Sequence, residues 1–270
     1  MKITFGLLFL YIISSSCFSQ KKNTNHDISC YDANGFSLTQ RSMEESFLRS
    51  VSVTIDDELE VGKAVYDEMG SEYKVKTYGV QYDKVLSIMN KLSAQISKFN
   101  NPSKNENFGK YQSNYKIYII ESDEINAFTA GARIFITTGI YNFCKNDSEL
   151  AAIIGHEISH NELGHISMHL KRQKGTQVFG NFGGLAYVVG NILNTPFGQI
   201  DEGHCDMFGM DLAKSAGYLP CKTIDLWERM AEKSGDKTLM NLFSSHPYSG
   251  DRANCAKNHL DSNYSLNCDK

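Results

Sequence analysis

No two cysteines in this 270-residue chain stand at the Cys-x-x-Cys spacing, which removes the usual thiol-redox and zinc-ribbon readings. Charge of one sign is also missing, since 27 basic against 31 acidic side chains leave a formal net charge of −4. Such a chain has no field to draw in nucleic acid or an anionic membrane surface, so no polyanionic partner is expected. Long hydrophobic runs are absent too. The N-terminal run, Ile3 to Ile13, is too short to span a bilayer, and "VFGNFGGLAYVVGNIL" is short and broken by Asn181 and Asn191. That second run reads as a buried helix packed closely through glycine. No internal repeat is found.

What remains is enough for a sizeable core: 41% of the residues are hydrophobic and 21% charged, the balance of one main globular domain. The start, "MKITFGLLFLYIISSSCFSQKK", has the layout of a secretory signal peptide covering residues 1–19. Cleavage after Ser19 places Cys17 and Ser19, both small, where a signal peptidase inspects them. Lipidation of Cys17 is the rival, although Ser14 stands where lipoprotein signals carry a branched apolar residue. The expected address is the periplasm or cell envelope, or outside the cell, with no transmembrane span in the mature chain. A lipid on Cys17 would tether it to a membrane. Six cysteines follow the leader, Cys30, Cys144, Cys205, Cys221, Cys255 and Cys268, an even set suited to an oxidising compartment. Their pairing is not readable, and they are too sparse to scaffold the fold.

Residues 20–54 are polar, without sustained periodicity, and read as a linker or loosely packed extension. Helical spacing begins in "DDELEVGKAVYDEM" and returns in "YDKVLSIMNKLSAQISKF", while "YKIYIIES" and "ARIFITT" have strand composition. From Asn146, which can cap a helix with Glu149 reaching back, nearly everything is helical in pattern. The expected class is α+β, mostly helix with a small sheet.

The chemistry centres on "ELAAIIGHEISHNELGHIS", residues 149–167. His156 and His160, four apart on a helix, lie about 40° apart in azimuth and share a face. Glu157 flanks that face. Two metal ligands and a general base make the HExxH arrangement, and a buried helix carrying these groups without a metal would strand polar atoms. His165 falls about 180° around from His156 while the helix persists, and Ile166 stands where a metzincin needs histidine. A catalytic zinc takes a third protein ligand. Asp201, Glu202, His204 and Cys205 are the candidates. Glu202 and Asp206 share a face, which fits Glu202 on the metal and Asp206 on a ligand histidine's second nitrogen; Cys205 is the rival ligand.

In "EINAFTAGARIFITTGI", "ELAAIIGHEISH", "EGHCDMFGMDLAKSAGYLP" and "HPYSGDR" the chain resembles the HtpX, BepA and CAAX-prenyl-protease type of gluzincin metallopeptidases, family 48, over roughly residues 55–258. The resemblance implies a zincin-like domain over those residues, with residues 259–270 as a tail. It implies one zinc ion, held by His156, His160 and Glu202, with Asp206 behind. Cys205 stands in place of the family's usual alanine, and Thr129 to Ala132 replace a common Pro-Gly-Gly. It also implies that Asn126 and Ala127 lie at the cleft edge, where an extended polypeptide substrate adds as a strand. His246 resembles a histidine that either stabilises the oxyanion or blocks the zinc. The expected function is a secreted or periplasmic zinc metalloendopeptidase, with envelope protein quality control as one role. An envelope chaperone with a zinc domain is the alternative, weaker because a purely structural zinc has no use for Glu157. Peptide deformylase is disfavoured, since its cysteine ligand precedes the HExxH helix and its address is cytosolic.

Overall fold

The computed structural model describes residues 21–31, 35–177, 185–194, 197–233, 246 and 251–268; the expected leader lies outside them. Two helices, α1 (Phe36–Phe47) and α2 (Ile55–Glu72), come first. Thr54 starts α2 with a reciprocal cap: its side chain accepts from the Asp57 amide while the Asp57 carboxylate accepts from the Thr54 amide. After β1 (Val75–Lys76), α3 (Val80–Ser93) buries Val85, Ile88, Met89 and Leu92, a single apolar stripe.

A four-stranded sheet is completed by β2 (Lys116–Ile120), β3 (Ala127–Ala130) and β4 (Arg133–Thr137), in the order β1-β2-β4-β3. β2 runs parallel to β4 with Ile117 opposite Ile134, and β3 is antiparallel to β4 with Ala130 opposite Arg133. Both faces are covered. Ile117, Ile119, Ile134 and Ile136 pack into the core with α3 and residues 147–162, whereas Tyr118, Ile120 and Phe135 pack with α2 and residues 185–194. Double-sided burial is why these strands read as near-continuous apolar runs. β3, an edge strand, lies where the sequence indicated only a cleft margin.

The described remainder is mostly helical: α4 (Thr138–Phe143), α5 (Asp147–Glu162), α6 (His165–Gln177), α7 (Leu185–Asn194), α8 (Gln199–Ser215), α9 (Cys221–Glu232) and α10 (Asp251–Tyr264). Asn146 caps α5 as expected, and the Glu149 carboxylate reaches back to the Lys145 amide at 2.8 Å. α5 and α8 cross with their backbones in contact, because a methyl group on Gly209 would stand 2.9 Å from the His156 amide nitrogen and one on Gly155 would stand 3.0 Å from the Gly209 carbonyl. Only glycine permits that approach. The crossing brings the side chains of α8 up to His156 and His160.

Two expectations need revision. Residues 21–31 are not a loose extension: Thr24 and His26 bond Asp211 on α8, and a Cys30–Cys255 disulfide ties the segment to α10. Docking through polar groups leaves no apolar periodicity to read. No separate tail begins at 259 either, since α10 runs to Tyr264 and Cys268 is joined to Cys221. Of the glycine-rich run, residues 178–184 lie outside the described residues. Its second half, α7, buries Val189 and Ile192.

Candidate metal centre

α5 points the Nε2 atoms of His156 and His160 at each other, 3.1 Å apart. From α8, Glu202 brings Oε2 to 3.2 Å from His156 Nε2 and Oε1 to 3.4 Å from His160 Nε2. His246 adds a fourth donor, its Nδ1 being 3.1 Å from both Glu202 oxygens and 3.4 Å from His156 Nε2. All four side chains are buried. The separations suit zinc, whose bonds of about 2.0–2.2 Å set tetrahedral donors about 3.3 Å or slightly more apart.

The protonation pattern points the same way. His156 Nδ1 lies 2.9 Å from Asp206 Oδ1, so Nδ1 carries the proton and Nε2 presents a lone pair. His160 Nδ1 lies 3.1 Å from His165 Nδ1, which accepts from it when His160 Nε2 also presents a lone pair. Two lone pairs facing each other beside a carboxylate call for a shared cation.

Behind Asp206 stands Arg252, which the sequence reading left without a role. Its Nε and Nη2 each donate to the Asp206 carboxylate at 2.7 Å, Nη1 lies 3.5 Å from Glu202, and the guanidinium sits 4.6 Å from the Trp227 ring. A cation was required there, because Glu202 and Asp206 are both buried within one helical turn. Only the distance in sequence hid which residue supplied it.

Glu157 projects beside the cluster, with Oε1 3.6 Å from His246 Nε2 and Oε2 buried without a hydrogen-bond partner among the described residues. Burial raises its pKa, opposed by His246 and His156. The cleft edge is next to it: the Ala127 carbonyl accepts from His246 Nε2 at 3.3 Å, and Asn126 uses its backbone on Thr137 while its buried Oδ1 has no partner.

The other candidates turn away from the cluster. Asp201 pairs with Arg41, and His204 Nε2 meets His26 Nδ1 at 3.0 Å. Cys205 is fully buried with Sγ 3.3 Å from His165 Nδ1. His165 does not continue the α5 helix; Gly164, at φ 83°, breaks the chain there and returns His165 to the flank of His160. His26, Asp211 and His259 also gather closely, and hydrogen bonds from both histidines satisfy Asp211 without a metal. Asn25 donates to Asn263 Oδ1, which turns Asn263 Nδ2 toward His259 Nδ1 at 3.2 Å. His259 Nδ1 is therefore the acceptor, and Nε2 carries the proton given to Asp211 at 2.8 Å.

Comparison with known proteins agrees with this geometry. The chain is 30% identical to the metalloprotease LoiP of Escherichia coli over 154 residues, 52% of this chain and 60% of LoiP. It is 28% identical to the mitochondrial metalloendopeptidase OMA1 of Arabidopsis thaliana over 142 residues, 49% of this chain and 29% of OMA1. With the beta-barrel assembly-enhancing protease of Yersinia pestis it shares 23% identity over 165 residues, 53% of this chain and 34% of that protein. It thus spans 60% or less of the length of these relatives. Residues 90–259, which include the α5 histidines, Glu202, His246 and Arg252, match Peptidase family M48. With more than half its length matched by that family, the chain belongs to peptidase family M48.

Proposed function

We propose that this protein is an exported zinc-dependent endopeptidase that cuts unfolded polypeptides of the cell envelope. The observation that carries the reading is the Glu157 carboxylate, buried with Oε2 unpartnered beside the convergent donors His156, His160 and Glu202. Zinc, when held there, acidifies water and polarises the scissile carbonyl. Glu157 takes the proton from the attacking water and passes it to the leaving amine. Asp206, anchored by Arg252, keeps His156 in the tautomer that offers Nε2. An extended substrate adds along the open side of β3, where Ala127 and Asn126 lie. His246, whose Nδ1 lies 3.4 Å from His156 Nε2 and 3.1 Å from both Glu202 oxygens, would help hold the zinc in this conformation.

The envelope address is supported by the N-terminal leader pattern and by the kinship to a beta-barrel assembly-enhancing protease. Among the described residues, no helix is long and apolar enough to cross a membrane. The test is incubation of the purified, zinc-loaded chain with reduced, unfolded casein and mapping of the fragments by mass spectrometry. Internal cuts that a chelator abolishes are expected. Intact casein, with its aggregation suppressed, would instead establish the chaperone reading.

A further inference from the structure

The turn between β3 and β4 consists of Gly131 at φ 49° and Ala132 at φ 62°, the pair of positive φ angles that a type I′ hairpin requires. Glycine adopts this conformation freely and alanine does not. Gly131 has no alternative, as a methyl there would stand 1.8 Å from the Glu58 carbonyl oxygen on α2. Ala132 is held by Asn161. The Asn161 Oδ1 accepts from the Ala132 amide at 2.9 Å, while Nδ2 donates to Thr129 Oγ1 at 2.8 Å and to the Glu157 carbonyl at 3.0 Å. Thr129 Oγ1 in turn donates to the Arg133 carbonyl at 2.9 Å. These partners fix the amide's orientation, since only its oxygen can face an N–H and only its nitrogen a carbonyl.

Asn161 is fully buried, one turn past Glu157 and adjacent to His160. It therefore joins the helix that carries the general base to the strand that forms the cleft edge. β4 fixes β3 within the sheet, and apolar packing against α5 is non-directional. The Asn161 bonds are directional, and they end on both sides of the turn.

We propose that Asn161 is a positioning residue for substrate: it locks edge strand β3 in register with α5, so that a peptide added along β3 meets Glu157 at a fixed separation. The proposal rests on the reading of β3 as the substrate edge. It gives Thr129 and Ala132 a purpose, because Thr129 supplies the hydroxyl and Ala132 the amide that Asn161 uses.

Binding is measured apart from turnover by placing Asn161→Ala and Thr129→Val in the Glu157→Gln background and titrating fluorescein-labelled unfolded casein by anisotropy. Zinc per chain, melting temperature and hydrogen exchange of the β3 amides are followed alongside. Asn161→Ala is expected to weaken binding about tenfold and to speed exchange in β3, with zinc per chain unchanged. Thr129→Val, which keeps shape and loses the hydroxyl, should move binding the same way by a smaller factor at an unchanged melting temperature, and in the active chain the loss should fall in KM rather than kcat. Affinity within about twofold of the parent for Thr129→Val and for a folded Asn161→Ala would overturn the proposal. So would an absence of casein binding by the Glu157→Gln parent. Failure of the wild-type chain to cut casein, with binding still dependent on Asn161, would reject the peptidase reading and leave this inference standing.

Discussion

Replacing Arg252 by alanine removes the guanidinium that grips the buried Asp206 carboxylate. Two hydrogen bonds of 2.7 Å to Asp206 disappear, with the 3.5 Å approach to Glu202 and the 4.6 Å stacking on Trp227. Stranding one partner of a buried ion pair costs about 3–5 kcal/mol, and a desolvated cation–π contact adds about 1–2 kcal/mol. The total, about 4–7 kcal/mol, is comparable with the whole stability of a typical domain, about 5–15 kcal/mol. Arg252→Lys keeps the charge but loses the planar fork, so about 1.5–3 kcal/mol is expected for it. Urea unfolding, with and without chelator, measures both. The Arg252→Ala deficit should be larger in chelator, where no metal offsets the stranded carboxylates. An alanine variant within about 1 kcal/mol of wild type, or a lysine variant as damaged as alanine, would refute the reasoning.

Glu202→Ala should lose zinc and activity, and Cys205→Ala should keep both, because the Cys205 thiol faces His165 rather than the donor cluster; zinc per chain by mass spectrometry decides between them. Asp211→Asn replaces an acceptor of bonds from Thr24, His26, His259 and Tyr264 and should cost about 3 kcal/mol or more in urea unfolding, while zinc stays at one per chain. A second zinc that Asp211→Asn removes would contradict the tautomer assigned to His259. Burial, aided by the Arg172 charge, lowers the His169 pKa from 6.5 to about 4. Its neutral form is the folded one, so this contribution is intact above pH 6.5 and is lost as the pH falls toward about 4, by about 3 kcal/mol in all. His169→Leu should flatten the decline between those limits, and an unaltered pH profile of urea midpoints would count against it.

What could be read from sequence followed the range of each interaction. His156, Glu157 and His160 sit within one turn of one helix, so their spacing alone sets their geometry. Glu202 and Asp206 could be paired for the same reason, though nothing local distinguished them from Cys205. The strands at 116–120 and 133–137 were legible as apolar runs, whereas β3 was not, because "AFTA" owes its extended form to pairing with β4. His165 was placed on the assumption of an unbroken helix, and Gly164 breaks it. Arg252, Asn161 and the Asp211 hub act mainly through distant partners: Asp206 lies 46 residues from Arg252, Ala132 lies 29 from Asn161 and Thr24 lies 187 from Asp211. Side-chain identity carries no mark of such partners. The N-terminal segment misled for a related reason: a polar stretch looks the same whether it faces water or a buried aspartate.

The central claim is that Glu157 supplies the base while His156, His160 and Glu202 hold the metal. One comparison tests it most directly, that of wild-type and Glu157→Gln protein for zinc per chain and for the rate of casein cleavage in the same samples. The account predicts equal zinc and a rate reduced by about a hundredfold or more in the variant. Equal zinc with comparable cleavage would contradict the assignment of the base, and loss of zinc from Glu157→Gln would place Glu157 among the ligands instead.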